Sequence, residues 1–228
     1  MKKIALCVYD FNITGNSISI FNRTYLNLLK NILYNNEFHL FFHIWEPTNE
    51  NNQKNLKLNR LQKMIDLFRP EEYKIEINKY SNANQSHWYS HDAVLELVNN
   101  YSNKNNIQYD LVFITKHDCI FNTRFNLDTM NIQDTLYVSN WEKKYGIVTE
   151  NYLNSKGLCY YWCFGNMHLI NKLKNIKNYI NSQKTIEHNF YTYILNNNIS
   201  YTPIFFLNKQ RGDDFYIFKP PIPPNSSS

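Results

Sequence analysis

The chain reads as an α/β protein: a mostly parallel β-sheet sandwiched by helices. Three observations predict this class. Short apolar segments alternate with stretches of helical periodicity through the first half of the chain. Several apolar segments are continuous rather than alternating, as in strands covered on both faces. Strand and helix follow one another in the order β-α-β-α-β-α-β, which makes crossover units and hence parallel pairing. The 228 residues are enough for a substantial core, and 43% hydrophobic with 16% aromatic content excludes disorder for most of the length.

Ile4 to Tyr9 is the first continuous apolar run. Asn12 to Asn16 follows as a polar loop. Ile18, Phe21, Tyr25, Leu28, Leu29 and Ile32 then recur at helical spacing. Phe38 to Trp45 is a second strand, halted at Glu46-Pro47, and Thr48 to Asn55 is polar loop. Leu58, Leu61, Met64, Ile65 and Phe68 mark a second helix stopped by Arg69-Pro70. Tyr73 to Ile77 alternates with period two and predicts a strand with one wet face. A third helix is expected from about Gln85 to Asn103, on Val94, Leu97, Val98 and Tyr101. Tyr109 to Thr115 is the most strand-like segment and runs into Lys116-His117-Asp118.

The second half is less regular. Thr135 to Trp141 and Cys159 to Phe164 predict strands separated by a polar loop around Lys143 to Gly157. Leu169, Leu173, Ile176 and Ile180 predict one helix, and Ile186, Phe190 and Tyr193 another. Pro203 to Leu207 is a last short strand, and residues 220–228 form an extended Pro/Ser tail.

Composition removes several function classes. The five glycines stand far apart, so neither a dinucleotide-binding G-x-G-x-x-G turn nor a phosphate-cradling G-x-x-x-x-G-K-[ST] loop can be written. Lys and Arg number 24 against 19 Asp and Glu, a net charge of +5, with no dense basic run of the kind that binds nucleic acid. The charge reads as a solvated basic surface, with attraction to phosphate-bearing ligands or peripheral association with an anionic membrane leaflet as the alternative. No window resembles a transmembrane segment. The opening Met1-Lys2-Lys3 and its apolar run resemble a signal peptide, but Asp10 closes the run without a small-residue cleavage site, so a first strand is expected instead. Cys7, Cys119, Cys159 and Cys163 form no C-x-x-C pair and read as reduced core residues of a cytoplasmic protein.

In open α/β sheets ligands bind beyond the carboxyl ends of the strands. That rule selects Tyr9, Asp10 and Asn12 from the first strand, His43, Trp45 and Glu46 from the second, and Lys116, His117 and Asp118 from the fourth. Such a set suits a ligand with a ring to stack and phosphates to neutralise. An acid ending a buried strand can hold a divalent metal through hard oxygen, and Lys116 can pair with phosphate. The competing readings are that Asp118 caps a turn, that Lys116 is solvated and that His43 is a satisfied core histidine.

The string Tyr109-Asp110-Leu111-Val112-Phe113-Ile114-Thr115-Lys116-His117-Asp118-Cys119-Ile120-Phe121-Asn122 resembles the Y-D-x-V-I-R-x-R-x-D-I-x-F-N segment of small polysaccharide glycosyltransferases of bacterial surface-glycan clusters and large DNA viruses. Lys3-Ile4-Ala5-Leu6-Cys7, Phe41-Phe42-His43-Ile44-Trp45, Pro70-Glu71-Glu72-Tyr73-Lys74-Ile75-Glu76, Trp162-Cys163-Phe164-Gly165-Asn166 and Ile186-Glu187-His188-Asn189-Phe190-Tyr191 resemble further elements of that family in the same order. The resemblance implies a GT-A-like domain over residues 1–219, with a nucleotide-sugar-binding half at 1–122 and an acceptor half at 123–219. It implies a nucleotide-diphosphate sugar donor, a glycan acceptor, and Mn²⁺ or Mg²⁺ bound at Asp118. Tyr9, Asp10, Asn12, His43, Trp45 and Lys116 would then contribute to donor binding, with Lys116 standing where the family carries Arg. Glu187 matches a helix-start acid, a candidate general base for the acceptor hydroxyl. The alternatives are a glycosyltransferase-like binding module without catalysis and another nucleotide-binding α/β enzyme.

Overall fold

A computed structural model describes residues 1–12, 17–46, 54–121, 124–139, 160–181, 183–204 and 215–217. The expected loops at 13–16, 48–53 and 143–157, the strand residues Trp141, Cys159 and 205–207, and the tail at 220–228 lie outside the described residues.

Four parallel strands form the first half of one continuous sheet: β1 (Lys3–Asn12), β2 (Glu37–Glu46), β3 (Glu72–Ile77) and β4 (Leu111–Lys116). Helices α1 (Ser17–Asn31), α2 (Lys54–Phe68) and α3 (Ala83–Asn105) supply the crossovers. The second half adds β6 (Leu136–Ser139), β7 (Trp162–Gly165) and β8 (Tyr201–Ile204), giving the order β3-β2-β1-β4-β7-β6-β8. β7 runs antiparallel to both neighbours, and β8 is parallel to β6. The fold is thus α/β with a mixed, mostly parallel seven-stranded sheet. Two further strands, β5 (Cys119–Phe121) and β9 (Phe215–Ile217), pair as a separate antiparallel ribbon. No helix among the described residues is long and apolar enough to cross a membrane.

The alternation of β1 divides the core into two layers. Ala5, Cys7 and Tyr9 face α3 together with α4 (Met167–Asn171) and α5 (Ile186–Asn196), whereas Ile4, Leu6, Val8 and Phe11 face α1 and α2. The first layer is anchored by Trp88 of α3, which stacks on Phe190 of α5 at 5.7 Å and packs at a tilt against Tyr160 at 4.6 Å. The second is anchored by Phe21, Phe42 and Phe68, all within aromatic contact. Cys7, Cys119 and Cys163 are buried free thiols, as the composition predicts.

Elements differ from the sequence reading where one local feature intervenes. β1 continues beyond Tyr9 to Asn12 through a bulge, with Val8 opposite Phe42 but Phe11 opposite Ile44. The helix expected from Leu169 to Ile180 is instead α4 followed by a 3-10 turn at Ile176–Tyr179. Asn175 breaks it with φ 70, and its N–H donates to the Asp92 carboxylate at 3.2 Å. β8 starts at Tyr201 and carries Pro203, tolerable because β8 ends the sheet order.

Candidate functional site

The strand order places a topological switch between β1 and β4. From β1 the chain steps outward to β2 and β3, and α3 then carries it back to the other side of β1. Crossover helices diverge at that point and leave a crevice beyond the carboxyl ends. Tyr9 and Lys116 are register partners across it.

Asp10 occupies the bulge in this crevice with φ 57, a left-handed backbone conformation that Asp adopts more readily than most residues. Its side chain is held from two sides and faced from a third. Trp45 Nε1–H donates to Oδ1 at 3.1 Å, Lys116 Nζ lies 3.1 Å from Oδ2, and His87 Nδ1 is 4.0 Å from Oδ2. Asp10 and Lys116 each keep about a fifth of their side-chain surface in solvent (20% and 23%), so the pair is the open face of the cluster. Burial works against the Lys116 ammonium, but the charge and hydrogen bond of Asp10, with Asp118 beyond it, outweigh this and hold its pKa above the ordinary lysine value.

A buried hydrogen-bond chain fixes the bulge from below. The Asp10 N–H donates to Ser90 Oγ at 2.6 Å, the Ser90 hydroxyl donates to His43 Nδ1 at 2.6 Å, and His43 Nε2–H donates to Glu76 Oε2 at 3.1 Å. This order of donors assigns a neutral, Nε2-protonated imidazole, in accord with burial lowering its pKa against the pull of Glu76. Burial also works against the charged Glu76 carboxylate, but donors from His43, Lys74 and Tyr89 hold its pKa below the usual range. Serine, histidine and acid here have the composition of a nucleophilic triad. Ser90 is nevertheless fully buried and its oxygen is spent on the Asp10 amide, so the chain positions backbone rather than attacking a substrate.

Asp118 sits in the two-residue turn between β4 and β5, one residue past His117, whose ring packs on Phe11 at 4.8 Å. Its Oδ1 is buried and has no hydrogen-bond partner. A turn-capping acid would be paired, so an orphaned hard oxygen fits a cation that the ligand itself helps to hold. Among the described residues no three His, Cys, Asp or Glu side chains gather as a metal site. Asp118 would therefore offer a cation a single carboxylate from this chain.

The sequence-selected residues are distributed as follows. Asp10, Lys116, Trp45 and Tyr9 meet at the crevice, with Trp45 and Tyr9 buried behind it. Trp45 stacks on Tyr89 at 5.7 Å, and Tyr89 in turn contacts Tyr80 at 5.1 Å, so the accessible rings of this group are the two tyrosines. His43 has both nitrogens bonded and no exposed surface, the satisfied core arrangement. Asn12 ends β1 opposite Trp45, and its side chain lies outside the described part. Glu187 is in the first turn of α5, capped by Thr185, whose Oγ1 accepts the His188 N–H at 3.2 Å. The first turn of α3 is tied to the segment before α5 by Asn84 Nδ2–H donating to the Lys184 carbonyl at 2.7 Å, which brings Glu187 to the carboxyl end of the sheet. Sequence reading missed His87 and Ser90. Their signal is a set of polar side chains on the inward face of an amphipathic helix, where apolar residues are expected. An open cleft of about 480 Å³, lined by Met1, Tyr34 and Arg124, lies at the amino ends of the strands, away from these groups.

Compared with known proteins, the chain matches no family model and no curated protein sequence.

Proposed function

We propose that the crevice between β1 and β4 binds a nucleotide-diphosphate sugar, and that the chain transfers the sugar to a glycan acceptor in a GT-A-like arrangement. The observation that carries this reading is the buried, unpartnered Asp118 Oδ1 two residues from a lysine, at the carboxyl side of a sheet switch point. The resemblance around residues 109–122 supports it. So does the continuation of the nucleotide-side sheet into a second half that carries Glu187.

In this reading Lys116 exchanges the Asp10 carboxylate for phosphate oxygens, retaining one charged pair throughout. Mn²⁺ or Mg²⁺ at Asp118 would supply neutralisation of the charge that develops on the departing diphosphate. Glu187 accepts the acceptor hydroxyl proton while the acceptor oxygen bonds to the anomeric carbon and the carbon–oxygen bond to the diphosphate breaks, the electron pair leaving with the diphosphate. The Ser90–His43–Glu76 chain holds Asp10 in place and takes no proton.

The test is a screen of the common nucleotide sugars with Mn²⁺, reading the melting temperature and the release of nucleoside diphosphate with and without glycan acceptors. A ligand bound only by the folded state raises the melting point. Transfer, or slow donor hydrolysis, is expected. Donor binding without any turnover supports a binding module instead, and no binding of any nucleotide overturns the reading.

A further inference from the structure

His87 is 2% exposed, and its Nδ1 has no hydrogen-bond partner. The other ring nitrogen, Nε2, lies 3.4 Å from the Tyr9 hydroxyl, which also donates to the Tyr160 carbonyl at 3.3 Å. The ring is thereby fixed edge-on to Tyr9 (centroids 5.0 Å apart), and its second nitrogen is turned toward Asp10. A buried imidazole nitrogen left unpaired costs stability. A phenylalanine would fill the same aromatic nest without that cost.

The gap between His87 Nδ1 and Asp10 Oδ2 is 4.0 Å, too long for a hydrogen bond and wide enough for one oxygen atom to reach both. The oxygen must satisfy a carboxylate, which only accepts, and an imidazole, which donates or accepts according to its tautomer. A hydroxyl meets both by donating its proton to the carboxylate and accepting from His87 Nδ1–H, the tautomer in which Nε2 accepts from the Tyr9 hydroxyl, whose proton then turns from the Tyr160 carbonyl to the ring. Lys116, on the same Asp10 oxygen, marks where an anionic group of the same ligand would lie.

We propose that His87 and Asp10 together hold one hydroxyl group of the bound ligand, so that this crevice selects a hydroxylated phosphate ester and His87 is one of its specificity-determining residues. The inference rests on the nucleotide reading above. The hydroxyl has two sources in a nucleotide sugar, the ribose and the transferred sugar, and both present the same chemistry. A site built to bond a hydroxyl discriminates strongly against an analogue lacking it, because its own polar groups are then left unpaired.

The experiment is calorimetric titration of the full chain, its His87→Phe variant and its His87→Asn variant, each with Mn²⁺. The ribose arm compares a ribonucleoside diphosphate with its 2′-deoxy and 3′-deoxy counterparts. The sugar arm compares a nucleotide hexose with analogues deoxygenated on the hexose. Inorganic pyrophosphate serves as the control that meets only the anion position, and melting curves without ligand report whether each variant folds. The parent chain is expected to prefer the hydroxylated ligand by about tenfold or more in one arm. In His87→Phe that preference is expected to collapse to within about twofold, with pyrophosphate affinity unchanged and a melting point no lower than the parent's. Preference retained in both variants, or no preference in either arm, overturns the inference while leaving nucleotide binding intact. A parent chain that binds no nucleotide overturns the nucleotide reading and this inference with it.

Discussion

Acid should weaken this fold before its carboxylates titrate, because the crevice is built on histidines kept neutral by burial. His87 is held well below the ordinary imidazole value by desolvation, with the charges of Lys116 and His91 adding to it. His43 is lowered by the same burial, but less, since Glu76 pulls the other way. In the unfolded chain both rings titrate near 6.5. As pH falls through that value the unfolded state binds protons that the folded state refuses, so stability is present above pH 6.5 and is lost below it. Between about pH 7.5 and 5.5, a histidine whose folded value lies beneath the window loses about 1.4 kcal/mol. That figure is the ceiling for each ring, so His87, the more strongly lowered, loses up to about 1.4 kcal/mol and His43 a smaller part, for a combined loss below about 2.8 kcal/mol. His117, also lowered by burial, adds in the same direction. Urea unfolding followed by tryptophan fluorescence at the two pH values measures the loss directly. His87→Phe should recover the His87 share of it, up to about 1.4 kcal/mol. A parent stability unchanged across the window, or a variant that loses as much as the parent, would refute the burial argument for His87.

Three further outcomes follow from the same geometry. Ser90→Ala strands the Asp10 amide and His43 Nδ1 together, and by chemical denaturation it should cost about 2–4 kcal/mol; a cost below about 1 kcal/mol would show that the bulge does not depend on the chain. Trp88→Ala removes the ring that joins α3 to α5 and should cost about 3–5 kcal/mol, whereas Trp88→Phe, which also removes an unpaired indole N–H, should cost less than half as much. Glu187→Gln should lower sugar transfer by about 10²–10⁴-fold with donor affinity unchanged; turnover within a few-fold of the parent would leave Glu187 as a helix-start acid.

The buried strands β1, β2 and β4 were legible because continuous apolar runs admit few other readings, and with them the end of the sheet that carries the candidate residues. The first three helices were legible from their periodicity to within a few residues at each end. The bulge at Asp10 was not, because it is set by tertiary contacts to Ser90 and Trp45 that are 80 and 35 residues away. The break at Asn175 was hidden for a similar reason. The apolar spacing of Leu169, Leu173, Ile176 and Ile180 fits a continuous helix, and only the distant Asp92 carboxylate satisfies the turned-out amide. The β5–β9 ribbon was missed because β5 is three residues long and follows β4 by a two-residue turn; its edge is secured by Asn27 and Asn31 of α1 bonding the Phe121 backbone. The places of Lys116 at the end of β4 and of Asp118 in the turn after it were legible from strand position alone. His87 required knowing that α3 returns across the ends of β1 and β4.

Asp118 is proposed to serve a ligand rather than the fold, and calorimetric titration of the parent chain and Asp118→Asn with a nucleoside diphosphate, with and without Mn²⁺, decides between the two. Mn²⁺ should tighten binding to the parent by about tenfold or more. In Asp118→Asn that gain should disappear while the ligand-free melting point stays at the parent's value. A variant that keeps the Mn²⁺-dependent gain, or that unfolds because Asp118 was holding the turn, would contradict it.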